Sequence, residues 1–338
     1  MRKTMKIGLS ALAGALAMTS VNAGEMSLSG SIEASYTTGS GYVTTGGQRL
    51  GMDKELTVKG SAELDNGTAV NYKQTITDAM AFNDSEIAFV TDGWGTITIG
   101  SAGAPLSGID NVTPTAYEEA EAGLTTGLDD VNGADGDMGI RYTLADIGGT
   151  GFKFDAFITS EHGSADANAD NAGSGEQYNN NGAAYEWVIT GDAPGIEGLA
   201  MGIGYAKLEV ENTDTQTVKP SDVDNDEGTA YLTYANGPFK VGYQKSAVNI
   251  GSTNTLHKTD YYSVSYAATD NLSVSYSVTE AQRTKTDGLQ QNQDMDGISI
   301  AYTMGGMTIS VADNDCSDCS YTAGRSEDYQ TMSVAVAF

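Results

Sequence analysis

Between residues 101 and 137 the chain carries Asp110, Glu118, Glu119, Glu121, Asp129, Asp130, Asp135 and Asp137, and no Lys or Arg. Carboxylates gathered without a counter-charge favour cations where they border a narrow polar passage, although the ordinary fate of a charge run is a solvated surface. A second acidic stretch, Asp222-Val-Asp224-Asn-Asp226-Glu227-Gly228, has the spacing that opens a calcium-binding loop. It departs from the full pattern, because the twelfth position counted from Asp222 is Thr233 instead of a bidentate Glu and a strand follows where a helix should. Weak binding of calcium or magnesium at Asp222, Asp224 and Asp226 is one reading, and acidic solvation the plainer one. Cys316 and Cys319 stand three residues apart, a spacing that suits a local disulfide in an oxidising compartment. Zinc would need two further ligands, and His162 and His257 stand alone in other loops. No nucleophile elbow, phosphate loop or His-Glu-x-x-His motif occurs, so nothing recommends an enzyme.

The overall balance narrows the partners. Of 338 residues, 45 are Asp or Glu against 17 Lys or Arg, a formal charge of −28. Phosphate backbones are bound by clustered bases, and none follows residue 6, so a nucleic-acid partner is excluded. Arg2, Lys3 and Lys6 precede an apolar run from Ile7 to Met18, and Val21-Asn22-Ala23 then offers a signal-peptidase site. Residues 1–23 are therefore expected to be a cleaved export signal, with Gly24 the first residue of a single domain, 24–338. Twelve apolar residues fall short of the roughly 20 that a spanning helix needs. Cleavage removes three positive charges and no acid, taking the charge from −28 to −31.

What must position these groups is a set of strands. Leu56, Val58, Ala62 and Leu64 alternate with Glu55, Thr57, Lys59, Ser61 and Glu63, and Asp65-Asn66-Gly67 follows. Period-two alternation into Asn-Gly is a hairpin signal. Further short turns stand at 92–95, 146–151, 192–198, 236–238, 270–271 and 305–306. Longer polar connections fall at about 38–50, 78–84, 101–137, 161–179, 211–227, 249–258, 284–295 and 313–327. Seven short turns and eight long loops join sixteen strands, and short turns at one end with long loops at the other mark an antiparallel up-and-down barrel in an outer membrane. The face opposite the apolar one is small: Leu272, Val274, Tyr276 and Val278 alternate with Ser273, Ser275, Ser277 and Thr279, and Ile298, Ile300, Tyr302 and Met304 with Gly297, Ser299, Ala301 and Thr303. That suits a wall beside a water-filled lumen or a neighbouring loop. Tyr36, Tyr142, Tyr185, Tyr234, Tyr243, Tyr262 and Tyr266 at strand ends suit interface girdles.

At the end of the chain Met332, Val334, Val336 and the terminal Phe338 share one face. This closing strand resembles the assembly signal of bacterial outer-membrane barrels. The stretch from Ser85 to Gly100, with Gly93-Trp94-Gly95 at its turn, is similar to the strand-turn-strand unit before the constriction loop of trimeric general-diffusion porins of Gram-negative bacteria, of the alphaproteobacterial type. The resemblance spans the mature chain at the level of strand order. It departs from the family where members commonly carry Arg, at Glu86 and at Ser101, so the basic wall is depleted. The resemblance implies a homotrimer of barrels in the outer membrane, in contact with lipid and lipopolysaccharide, each narrowed by an inward-folded third loop.

On this reading Asp110, Glu118, Glu119, Glu121, Asp129 and Asp130 form an acidic rim on that loop, with the three Glu as its centre. Lys59, Lys73, Arg141 and Lys153 face it by alternation. The expected function is a water-filled channel for passive diffusion of small hydrophilic solutes and ions, with a preference for cations. The alternative is a surface-exposed binding or adhesive barrel with acidic, divalent-cation-binding loops.

Overall fold

The structure, a computed structural model, describes residues 25–41, 48–77, 82–101, 103–160, 162, 181–210 and 223–338. The export signal expected over 1–23 and the carboxylate of Asp222 lie outside the described residues. Sixteen strands form among them: β1 (Met26–Gly41), β2 (Arg49–Glu63), β3 (Ala69–Ile76), β4 (Phe82–Thr91), β5 (Gly95–Gly100), β6 (Gly139–Leu144), β7 (Phe152–Thr159) and β8 (Asn181–Asp192). The second half continues with β9 (Leu199–Val210), β10 (Asn225–Asn236), β11 (Phe239–Ile250), β12 (Thr255–Thr269), β13 (Leu272–Thr284), β14 (Gln290–Met304), β15 (Met307–Ser317) and β16 (Ser326–Ala337). Every strand pairs antiparallel with its chain neighbour, and β1 also pairs with β16 from Ser31 opposite Ala337 to Gly41 opposite Glu327, which closes the barrel. Closure leaves no unpaired sheet edge, as a strand-built membrane protein requires.

Alternation decides which face each side chain takes. Ile298 and Ile300 of β14 stand outward and are 54% and 41% exposed on the isolated chain, while Ser299 between them is 1% exposed. Ser275, Ser277, Ser310 and Ser333 are buried likewise. Ser275 and Ser299 are covered by the third long loop, whose Ala116 and Tyr117 amides they accept. The terminal Phe338 closes the ring by exchanging backbone hydrogen bonds with Gly30, 2.8 and 3.0 Å.

Several acids expected in outer loops belong to strands. β10 begins at Asn225 and β14 at Gln290, so Asp226 and Asp294 are strand residues, and Cys316, also expected in a loop, belongs to β15, which runs to Ser317. His257, read as a loop residue, is the third residue of β12. Acids imitate loop composition, but strands that continue above the bilayer are wet on their outer face and keep their alternation: exposed Asp294 and Asp296 flank buried Met295.

Candidate functional site

β5 and β6 are six residues each, and the chain between them turns inward. Gly139 permits this, since a Cβ there would collide with the Phe157 ring. The loop then crosses the barrel and is fastened to the far wall by hydrogen bonds that complete its backbone. Glu186 of β8 accepts the N–H of Leu106 at 3.1 Å and that of Ala134. Gln244 of β11 accepts the Val112 N–H at 2.8 Å and donates to the Ile109 and Asp110 carbonyls at 2.8 and 2.6 Å. Ser275 and Ser299 accept from Ala116 and Tyr117, at 2.8 and 3.0 Å. Asn314 of β15 donates to the Glu119 and Ala122 carbonyls, both at 2.9 Å. Glu327 of β16 accepts from Thr125 at 2.8 Å, and Glu227 of β10 from Asn132 and Gly133 at 2.9 and 2.7 Å.

Apolar contact adds to this. Leu106, Ile109 and Val131 pack on Val188, Ala206, Leu208 and Val248 of the wall, and Ala120 packs on Ala281 and Met295. The wall is small where the loop presses: a Cβ on Gly204 would lie 2.7 Å from Leu106, and one on Gly297 3.1 Å from the Ala120 backbone. The small-residue face of these strands is thus occupied by a loop as much as by water.

Of the expected rim residues, Glu121, Asp129 and Asp130 are tied to the wall. Glu121 accepts hydrogen bonds from Asn111 at 2.9 Å and Thr279 at 2.8 Å, which ties it to β13. Asp130 accepts from the Tyr261 hydroxyl at 3.0 Å, and Asp129 lies 2.9 Å from His257 Nε2. The His257 hydrogen bond holds the Asp129 carboxyl below its ordinary value. Burial pushes Asp110, Glu118, Glu121 and Asp130 upward. Glu119 is pushed to about 7, first by burial and then by the charge of Glu121, with Glu118 and Asp110 adding to it.

The hydrogen bonds from residues 106–134 land on β1, β8 and β10 through β16, and the four expected bases stand on the opposite arc. Lys59 of β2 pairs in register with Lys73 of β3, and Lys73 with Glu86 of β4. Arg141 of β6 and Lys153 of β7 both converge on Asp155, at 2.8 Å each, and Thr143 donates to the same carboxylate. The depleted basic wall is therefore reduced further by an acid within it.

The calcium-like stretch does not form a cage in the described residues. Asp224 pairs with Lys207 at 2.8 Å, Asp226 accepts the Tyr205 hydroxyl, and Glu227 holds the inward loop. Lys207 holds the Asp224 carboxyl down, chiefly through its hydrogen bond. Among the described residues no group of three or more His, Cys, Asp or Glu is arranged to hold a metal. Cys316 and Cys319 are joined by a disulfide at the end of β15.

A family model for the Gram-negative porins matches residues 8–338. The chain belongs to the Gram-negative porin family. The barrel is similar to that of OmpT, an outer membrane protein of Vibrio cholerae, with a TM-score of 0.68 at 13% identity over 95% of this chain and 100% of that one. OmpT has also been solved in a trimer form. An anion-selective porin from Comamonas acidovorans gives 0.66 at 14% over 93% and 100%, and OmpF of Salmonella typhi in complex with daunomycin 0.66 at 12% over 94% and 98%. At these identities the likeness is one of fold. No curated protein sequence matches the chain. As a porin, this protein resides in the outer membrane of a Gram-negative bacterium and forms a channel for diffusion. The alphaproteobacterial subtype rests on the sequence resemblance alone.

Sequence reasoning missed the porin's clamp residues Glu186, Gln244, Glu227 and Glu327, and the neutralising Asp155. Asp155 shares the inward parity of Lys153 two positions earlier, so parity alone could have found it. The clamps lie 52 to 202 residues from the amides they hold and leave no local signal.

Proposed function

We propose that this porin is a homotrimer of water-filled channels that pass small hydrophilic solutes and ions and prefer cations, with the third loop setting the preference. The reading is supported by an imbalance of charge: the loop over 101–137 carries eight carboxylates and no base, and on the opposite arc Arg141 and Lys153 share Asp155. Lys59 and Lys73 remain as the opposing charge. Carboxylate rings favour cations, and residues facing the lumen tune selectivity in this architecture.

Trimer formation is supported by the apolar outer face of β1 and β2, where Leu28 and Leu50 are 66% and 86% exposed on the isolated chain. Residues 1–23 serve as the export signal in this reading. Reversal potential in a planar bilayer under a KCl gradient tests the function, with a cation-side potential expected. Absence of stable conductance, or an anion-side potential, would overturn it.

A further inference from the structure

We propose that the extracellular mouth of the barrel contains a binding subsite for a small solute carrying a carboxylate or phosphate group, held by Arg283 and Lys285. A cavity of about 490 Å³ lies there between the ends of β12 and β13 and the inward loop, lined by Asp129, Thr253, Thr255, His257, Arg283 and Lys285 among others. That volume falls within the range of small-molecule sites, about 300–1,000 Å³.

Arg283 is fixed as a binding group is fixed. Its guanidinium lies over the Tyr321 ring, 4.4 Å from the centroid, and donates to Gln291 Oε1 at 2.9 Å. Tyr321 is itself immobile: it is 1% exposed and its carbonyl accepts from Gln291 Nε2 at 3.0 Å. Stacking covers one face of the guanidinium and burial closes off Nε, so a ligand in the cavity would meet the Nη edge. A planar guanidinium matches the oxygens of a carboxylate or phosphate with two parallel hydrogen bonds.

The charges support an anion as occupant. Arg141 and Arg325 each grip a carboxylate at 2.8 and 2.7 Å, but among the described residues neither Arg283 nor Lys285 has a carboxylate within ion-pair distance. Of the two acids of the cavity, Asp129 is held by His257 and also feels the Arg283 charge, and Asp287 accepts the Leu289 N–H at 2.9 Å. Thr286 donates to the Thr253 carbonyl at 2.7 Å and braces the two rims against each other. In a chain this acidic, a braced pair of cations with no ion-pair carboxylate among the described residues gives an anionic solute a place to dwell. This adds solute choice to diffusion and does not depend on the sign of the ion preference.

Equilibrium binding to the detergent-solubilised protein tests the subsite without reference to conductance. Isothermal titration at low ionic strength with inorganic phosphate in one arm and succinate in the other should show saturable binding in at least one, and the arm that saturates identifies the oxyanion. Arg283→Gln and Lys285→Gln should each weaken that binding about tenfold, as expected for loss of one charge-assisted contact. Lys285 is exposed and its side chain makes no hydrogen bond or ion pair among the described residues, so its variant reports even if Arg283→Gln disturbs Tyr321. No saturation by either probe up to about 10 mM, a concentration beyond a weak site's dissociation constant, would overturn the proposal. So would unchanged binding in the Lys285→Gln variant.

Discussion

Arg141 and Asp155 form a two-point ion pair across neighbouring strands, with Nε and Nη2 of the arginine 2.9 and 2.8 Å from the same carboxylate oxygen. The other oxygen takes Lys153 at 2.8 Å. Asp155 is 2% exposed, so the three groups act as one unit with a single net positive charge where the alternation alone suggests two. In the proposed channel this weakens the basic side of the field across the lumen.

Asp155→Asn should uncover the second positive charge and shift permeation toward anions. The affected groups border water, so the change is modest: roughly 0.5 kcal/mol, about a twofold fall in the cation-to-anion permeability ratio. Reversal potential in a KCl gradient measures it, and the shift should shrink at high salt as screening grows.

The three glutamates at the centre of the loop should separate into two behaviours. Glu118→Gln and Glu119→Gln together should lower the cation preference and leave thermal stability near that of the parent. Glu121→Gln should cost about 1–3 kcal/mol, because the Asn111 and Thr279 donors lose a charged acceptor. Comparison of reversal potentials with heat-induced unfolding of the barrel, followed by circular dichroism, resolves the two effects. An equal stability loss in both variants would place Glu118 and Glu119 among the anchors.

How much of this was legible in the sequence depended on how local the signal is. The turn at Asp65-Asn66-Gly67 and the alternation around it determine β2 and β3 within the stretch from Arg49 to Ile76, and the same grammar located every tight turn. The seat of the loop was not legible. Glu186 reads as one acid between aromatic strand residues, and its bond to Ala134 spans 52 residues. Only the closed register brings them together. Asp226 and Asp294 misled in the opposite direction, because a charge outward on a strand above the bilayer is chemically indistinguishable from a charge in a loop.

Cation preference should rise with pH across neutrality. The Glu119 carboxyl, pushed up to about 7 by burial and the neighbouring charge of Glu121, is mostly neutral below that value and charged above it. A carboxyl whose folded value is raised contributes stability below its unfolded value near 4.5, and that contribution is lost as pH climbs through about 7. Permeability ratios should therefore increase from about pH 6 to about pH 8 while the loop loosens slightly. A Glu119→Gln channel should show a flatter profile over the same interval, and an unchanged profile would assign the titration to another group.

Glu186 should matter more for the loop than any acid on the loop itself. Its two oxygens hold the amides of Leu106 and Ala134, which lie near opposite ends of the inward segment and are both nearly inaccessible to water. Glu186→Ala would leave both donors without an acceptor, at about 1–3 kcal/mol each. The barrel ladder is untouched by this change, so the strands should persist while the loop becomes mobile. The expected outcome is a folded barrel with larger and noisier single-channel conductance, and faster protease cleavage within 106–134. Conductance steps as quiet as those of the parent would show that the apolar seat of Leu106 and Val131 suffices to hold the loop.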